Sequence, residues 1–309
     1  MPQINRSLLT YAPETTYGTV PGTGFVPVKV QRDPELAPLV ADRVTREEVT
    51  PWFTADADRL TNRRQTISFG VYDGGSGTAG TAPNYGGLYL PCGMNATIVA
   101  STSVTYSLIS SSIPSITLRW YADGILHQMA GARGTCSWTR NIGELPMVMF
   151  EFTGLYSQPT DTAFPSLSIT AQAEAEPVNS TNTPTITLNS VAKCMSEYEI
   201  ALNNQVVFRE DAGCTARVEV QGRSVEGRVQ CEDVLIATQN IYSLSTGTAF
   251  VPLVIGHTGG TAGRRSTITT TNSNILEPTF APRDNVRYVN LPYKAISTDG
   301  TSEFSIAYT

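Results

Sequence analysis

Histidine is nearly absent from this chain. There are two, His127 and His257, and neither stands in a metal-binding or nucleophile motif. The five cysteines, Cys92, Cys136, Cys194, Cys214 and Cys231, form an odd, widely spaced set without a Cys-x-x-Cys. Such a set fits free, mostly buried thiols and opposes a disulfide framework or a zinc site. Charge is also sparse, at 16% of residues, and the balance of -6 with a pI near 5.1 opposes a surface that grips nucleic acid. No run approaches the roughly 20 apolar residues that span a bilayer, and the opening "MPQINRSLLTYAPETT" lacks the apolar core of a signal peptide. The expectation is a protein made in a cytoplasm with no membrane partner.

What the chain does contain is Thr, Ser, Gly, Pro and Val, the composition of a β-dominated fold with a small α component. Residues 65–72, "QTISFGVY", alternate apolar Ile67, Phe69 and Val71 with small or polar partners, as a strand with one buried face does. The same reading places strands at residues 25–30, 45–53, 104–108, 115–120, 126–129, 132–138 and 147–153. Ala122-Asp123-Gly124 is read as a hairpin turn. Pro83 opens a short helix that ends at Cys92-Gly93. Later strands are expected at 196–202, 216–220, 225–230, 286–291 and 303–308, with an amphipathic helix over "CEDVLIATQNIYSL" and a polar loop at about 256–274.

The 309 residues admit one large or two ordinary domains. Residues 1–27 have apolar side chains without a period and read as an arm that lies along a neighbouring surface, its own or another subunit's, with docking on an adjacent subunit or ring expected. A first β domain then covers 28–156, a Pro/Ser/Thr/Asn-rich boundary 157–190, and a second β domain 191–309. The two share an element order. Arg63 and its strand match Arg223, the helix near Ala82 matches Glu232, and the strand at Phe150 matches Phe304, at offsets of 160, 150 and 154. The alternative is one tube or sandwich domain followed by an unrelated β domain.

Reactive constellations were sought. Gly75-Ser76-Gly77-Thr78-Ala79-Gly80 matches G-x-G-x-x-G, yet the strand before it alternates and neither a βαβ unit nor a downstream acid follows, which leaves a flexible loop and no dinucleotide. Glu47-Glu48 and the pair Asp56 and Asp58 lie on polar segments and read as solvated acids. No G-x-S-x-G elbow occurs. The expectation is no catalytic residue, no bound metal and no cofactor. Arg63-Arg64 and Arg264-Arg265 flank loops, where salt bridges to a neighbouring subunit are expected, and Leu8, Leu9, Tyr11, Tyr17 and Phe25 of the arm complete the expected oligomer interface.

Three stretches, "PETTYGTVP", "GSGTAGTAPNYGGLYLPCG" and "YADGILHQMAGARGTCSWTRNIGELPMVMFEFTGLY", resemble in this order the tail tube proteins of long-tailed bacteriophages. They cover about the first 160 residues, and after Ser190 the likeness is one of element pattern. The resemblance implies β-sandwich or barrel-like domains, each with a short flanking helix, that close side by side into rings with a β-lined channel. Rings stack into a tube through which double-stranded DNA passes during ejection. It further implies a structural virion protein, assembled in the host cytoplasm, whose partners are copies of itself and the tape measure, tail terminator and distal tail proteins. Two tandem tube-like domains imply a three-chain pseudo-hexameric ring with a mildly acidic lumen. The alternatives are a hexamer whose second half decorates the outside, a β-sandwich adhesin or glycan-binding module, and a hydrolase on a β scaffold.

Overall fold

The computed structural model describes residues 6–31 and 34–309. Strands hold 48% of the residues and helices 5%, so the β-dominated class stands. In the first half they are β1 (Ser7–Pro13), β2 (Val26–Val28), β3 (Glu35–Thr45), β4 (Asp58–Tyr72), β5 (Met94–Val99), β6 (Ser103–Leu108), β7 (Ile116–Ala122), β8 (Ile125–Thr139), β9 (Met147–Leu155) and β10 (Thr160–Asp161). The second half contains β11 (Thr185–Leu188), β12 (Val191–Ala192), β13 (Met195–Ala201), β14 (Gln205–Arg209), β15 (Arg217–Gly222), β16 (Glu226–Glu232), helix α1 (Ile241–Thr246), β17 (Val251–His257), β18 (Ser266–Ile275), β19 (Thr279–Phe280), β20 (Tyr288–Ala295) and β21 (Ser305–Tyr308).

Two rows of strands pack over one core. The first runs β3-β4-β9-β8-β13-β16-β20-β19, with every neighbour antiparallel. The second runs β5-β6-β21-β18-β17-β11-β12 and is accompanied by β2-β1-β7, which joins the amino-terminal part of β8. Period-2 patterning explains the layering. In β9, Val148, Phe150 and Phe152 are buried while Glu151 between them is exposed. Their partner Phe69 in β4 lies 5.7 Å from Phe150, ring to ring, and Tyr89, from the segment after Pro83, stacks 5.6 Å from Trp138. That segment is two short 3-10 helices, Asn84–Leu88 and Leu90–Cys92, and it buries Tyr85, Leu88, Tyr89 and Cys92.

Several expectations need correction. Of the two surfaces open to the amino-terminal segment, residues 6–27 take the chain's own. β1 pairs along its whole length with β7 and also with β2, and Leu9, Tyr11 and Ala12 are buried in the chain's own core. A single seven-residue strand is too short for its period to stand out against the turn residues around it. Residues 1–5 of the expected arm lie outside the described residues. The strand expected at 45–53 is the tip of a hairpin instead, because Pro51 cannot donate to a ladder and Trp52-Phe53 places two aromatics on opposite faces. The strands expected at 126–129 and 132–138 are one bent strand, β8. The helix expected from Cys231 is only Ile241–Thr246, capped by Asn240, while Cys231 belongs to β16. The loop expected at 256–274 is mostly β17 and β18, whose Thr/Ser alternation hides a half-buried strand. The boundary 157–190 holds β10 and β11, and between them Gln172 exchanges two hydrogen bonds of 2.8 Å with the Lys29 backbone.

The pairing pattern of the first half recurs in the second. β1 pairs with β2 and β7, and correspondingly β11 pairs with β12 and β17. β3–β4, β4–β9, β7–β8, β8–β9 and β8–β10 have their counterparts in β13–β16, β16–β20, β17–β18, β18–β20 and β18–β21. Even the bulge between Ile116 and Leu118 recurs between Val251 and Leu253. In register, Val71 faces Val148 as Cys231 faces Val289, so β4 and β16 stand 160 residues apart, the offset read from Arg63 and Arg223. The other two landmarks shift. The helical segments match as Asn84 and Ile241, and the counterpart of Phe150 is Leu291, not Phe304. The β5–β6 hairpin has no counterpart, so the offset falls from 157 at those helices to 135 at Ile116 and Val251.

Candidate functional site

Two regions stand out: a seam inside the chain, where its halves meet, and the strand edges that end the first row among the described residues. At the seam β8 of the first half meets β13 of the second, with Ser137, Trp138 and Thr139 opposite Ala201, Ile200 and Glu199. Backbone bonds extend it, from Arg140 N to Tyr198 O at 2.9 Å and from Leu202 N to Cys136 O at 3.0 Å. Trp138 and Ile200 are both fully buried there.

Beneath the seam lies an ionic network shared by both halves. The Arg140 guanidinium stands 3.2 Å from Asp73, with both side chains 1% exposed, and its Nη2 also donates to Ser266 Oγ at 2.7 Å. Asp73 accepts further from Tyr85 at 3.0 Å, Tyr308 at 2.7 Å and Ser266 Oγ at 3.1 Å, so four donors from both halves converge on one carboxylate. Burial raises the Tyr85 and Tyr308 hydroxyls well above their usual pKa, and the Asp73 charge raises them further. A buried pair is favourable only when its lone pairs and protons are satisfied; the Asp73 carboxylate and both Nη atoms of Arg140 are, whereas Arg140 Nε has no partner among the described residues. The network therefore ties residues of both halves to one carboxylate.

The Gly-rich loop is part of this contact. Gly74, Gly75 and Ser76 are buried, contrary to the mobile loop expected, and Gly77 N donates to Gly263 O at 3.0 Å. Gly75 has φ +66° and Gly263 φ +85°, and a Cβ on Gly75 would stand 2.2 Å from Gly263 O. Those glycines serve close approach of two backbones.

The long hairpin of the second half folds back over the first. Its distal sheet β14–β15 is held by Arg133 Nη1 donating to Val218 O at 2.8 Å and by Val218 N donating to the Tyr17 hydroxyl at 2.5 Å. Arg64 lies 6.0 Å from the Phe208 ring. Tyr17 and Arg64, expected at a subunit interface, thus meet the chain's own second half. Leu9 and Tyr11 are core, and Leu8 is half-buried beside them in β1. Phe25 stacks under Arg119 at 3.8 Å, Arg63 is exposed near Tyr156, Arg264 approaches Glu176 at 3.8 Å, and Arg265 donates to Gly260 O at 2.6 Å. The structure brings these nine residues to no common patch.

Sequence reasoning missed the hairpin β3–β4. Residues 42–49 and 51–60 are exposed, and Val49, Trp52 and Phe53 at its tip are 106, 66 and 111% exposed. The available signal was Pro51 beside two adjacent aromatics. Also missed were the outer edges of the first row, β3 and β19, each paired on one side only among the described residues.

The face of the first row turned away from the core presents Thr66, Ser68, Thr135, Ser137, Glu151, Thr153, Glu199 and Gln230, crossed by ion pairs Arg228–Glu199 at 3.2 Å and Lys294–Glu226 at 2.9 Å. The Lys294 hydrogen bond holds the Glu226 carboxyl below its usual range. Among the described residues, no group of three or more His, Cys, Asp or Glu is placed to hold a metal, and no helix is long and apolar enough to cross a membrane. Cys92, Cys136 and Cys231 are buried thiols, Cys194 and Cys214 exposed ones. His127 sits in β8, and His257, on β17, shares a 2.8 Å hydrogen bond with Thr183.

Comparison with known proteins agrees with an assembly role. No curated protein matches the chain. The family profile of the phage tail tube protein matches residues 4–309, the second half included, and the chain belongs to that family.

Proposed function

We propose that the protein forms a phage tail tube from rings of three copies, each supplying two tube-like repeats, and that the first strand row of every copy lines the channel. The observation that carries this reading is the seam. β13, β16 and β20 continue the row begun by β3, β4, β9 and β8, so both halves contribute to one surface. An outer decoration domain would have no reason to extend that row. The tail is that of a long-tailed phage, and double-stranded DNA passes the channel during ejection.

The exposed face of the row suits passage. Duplex DNA carries one negative charge per about 1.7 Å, so a basic wall would retain it. Hydroxyl side chains are frequent there, and Glu151, Glu197, Glu199, Glu226 and Glu232 outnumber Arg228 and Lys294 over β9, β13, β16 and β20, which favours a mildly acidic wall over that part of the row. Tape measure, terminator and distal tail proteins are the expected partners at the tube's interior and ends. Symmetry analysis of a tube reconstruction tests the reading: three chains per ring with β3 through β20 around the lumen supports it, whereas six chains per ring with the second half outside overturns it.

A further inference from the structure

The internal seam is a template for the contact between copies. Its counterpart on each free end follows from strand register. Leu36 faces Ile67 as Ile200 faces Gly227, so Glu35-Leu36-Ala37 occupies the place of Glu199-Ile200-Ala201. On the other side Phe280 faces Val289 as Trp138 faces Val148, so Thr279-Phe280-Ala281 occupies the place of Ser137-Trp138-Thr139. Burial agrees with these assignments. Ile200 and Trp138, which meet at the seam, are fully buried, but Leu36 is only half-buried and Phe280 is 63% exposed.

Both windows are bracketed by prolines, Pro34 and Pro38 around one, Pro278 and Pro282 around the other. The corresponding seam positions include Tyr198, Leu202 and Arg140, whose backbone N–H groups all donate across the seam. Proline cannot donate, and it holds the residue before it extended. Each open edge is therefore a pre-extended segment of three residues on which pairing cannot slide or lengthen, a device that protects an edge from indiscriminate partners.

We propose that Glu35-Leu36-Ala37 of one copy pairs antiparallel with Thr279-Phe280-Ala281 of the next, with Leu36 opposite Phe280, and that this contact closes the ring. The occupant is a second copy because the two windows differ and repeat, head to tail, a contact the chain already makes with itself. A heterologous contact of this kind closes into a ring when its rotation permits. The inference rests on the proposed tube function and adds its closing register.

The test uses the full chain with Cys194→Ser and Cys214→Ser, which removes the exposed thiols. Added Leu36→Cys and Phe280→Cys are opposed across a strand pair, at a Cα separation of about 5 Å suited to a disulfide. Assembled under oxidation and run without reductant, the variant is expected to give closed three-chain species, and the shifted pair Leu36→Cys with Glu277→Cys none. Rings or tubes without that cross-link overturn the register while leaving the tube reading intact. Parent protein that forms no ring overturns both. In a second arm, Phe280→Asp is expected to melt like the parent chain, because the residue is exposed, and to remain monomeric in sedimentation; ring formation by it overturns the contact.

Discussion

The two long hairpins of the chain are counterparts that end differently. The first, β3–β4, projects with Val49, Trp52 and Phe53 in solvent; the second breaks at residues 202–204 and 223–225, and its tip β14–β15 lies on Tyr17 and Arg133 of the first half. At the break Asn204 donates to Cys92 O and Gly134 O, and Arg223 pairs with Glu303. One element thus occurs in a covered and an uncovered form. The covered form shows what the first half receives from its neighbour within the chain, and in the proposed ring the uncovered one is what that half offers to another copy.

The largest break in the comparison is expected at the buried ion pair. Asp73→Ala leaves Arg140 charged and unpaired at the seam and should destabilise the chain by about 3–5 kcal/mol in denaturant unfolding. Arg209→Ala, which removes an exposed pair with Asp211, should change stability by under about 1 kcal/mol.

Alkali should act on both halves together. Tyr11 is pushed up to about 12, chiefly by burial, and burial raises Tyr85, Tyr89, Tyr198, Tyr293 and Tyr308 as well. Above pH 10 the unfolded chain has lost phenolic protons that the folded chain retains, so stability is full below pH 10 and falls as pH rises beyond it. The Tyr89 and Tyr308 hydroxyls, 2.8 Å apart, bridge the halves, so a pH titration followed by circular dichroism should show one transition and not two.

Gly75→Ala tests the backbone contact. Its positive φ and the Gly263 carbonyl both resist a side chain, and a loss of about 1–3 kcal/mol is expected in thermal unfolding. Two further substitutions sharpen the hairpin comparison. Val218→Ala, fully buried in the covered hairpin, should cost about 2 kcal/mol for its two lost carbons. Phe53→Ser in the uncovered one should stay within about 0.5 kcal/mol in the monomer and be read instead as lost assembly by electron microscopy.

Much of the candidate site was invisible in the sequence for a definable reason. The windows "PELAP" and "PTFAP" look like turn-rich loops, and three-residue pairing is too short to produce an alternating pattern. Asp73 and Arg140 lie 67 residues apart, and neither neighbourhood announces a buried charge. Likewise β11, four residues long in a Ser/Thr/Asn-rich stretch, falls in the expected boundary although it is the counterpart of β1 in the repeated plan.

Alternation in residues 65–72 and 147–153 and the Asp123-Gly124 turn, where φ is 38° and 98°, were enough to establish the β class. These are local properties, encoded by period 2 and by the few residues that accept positive φ. Which strand neighbours which is not local. Tertiary structure alone decided that β13 continues the row of β8, that Trp138 is covered while Phe280 is not, and that the amino-terminal segment belongs to the core. Pairing partners far apart in sequence are selected by the burial of both faces at once, and no single stretch of the chain carries that information.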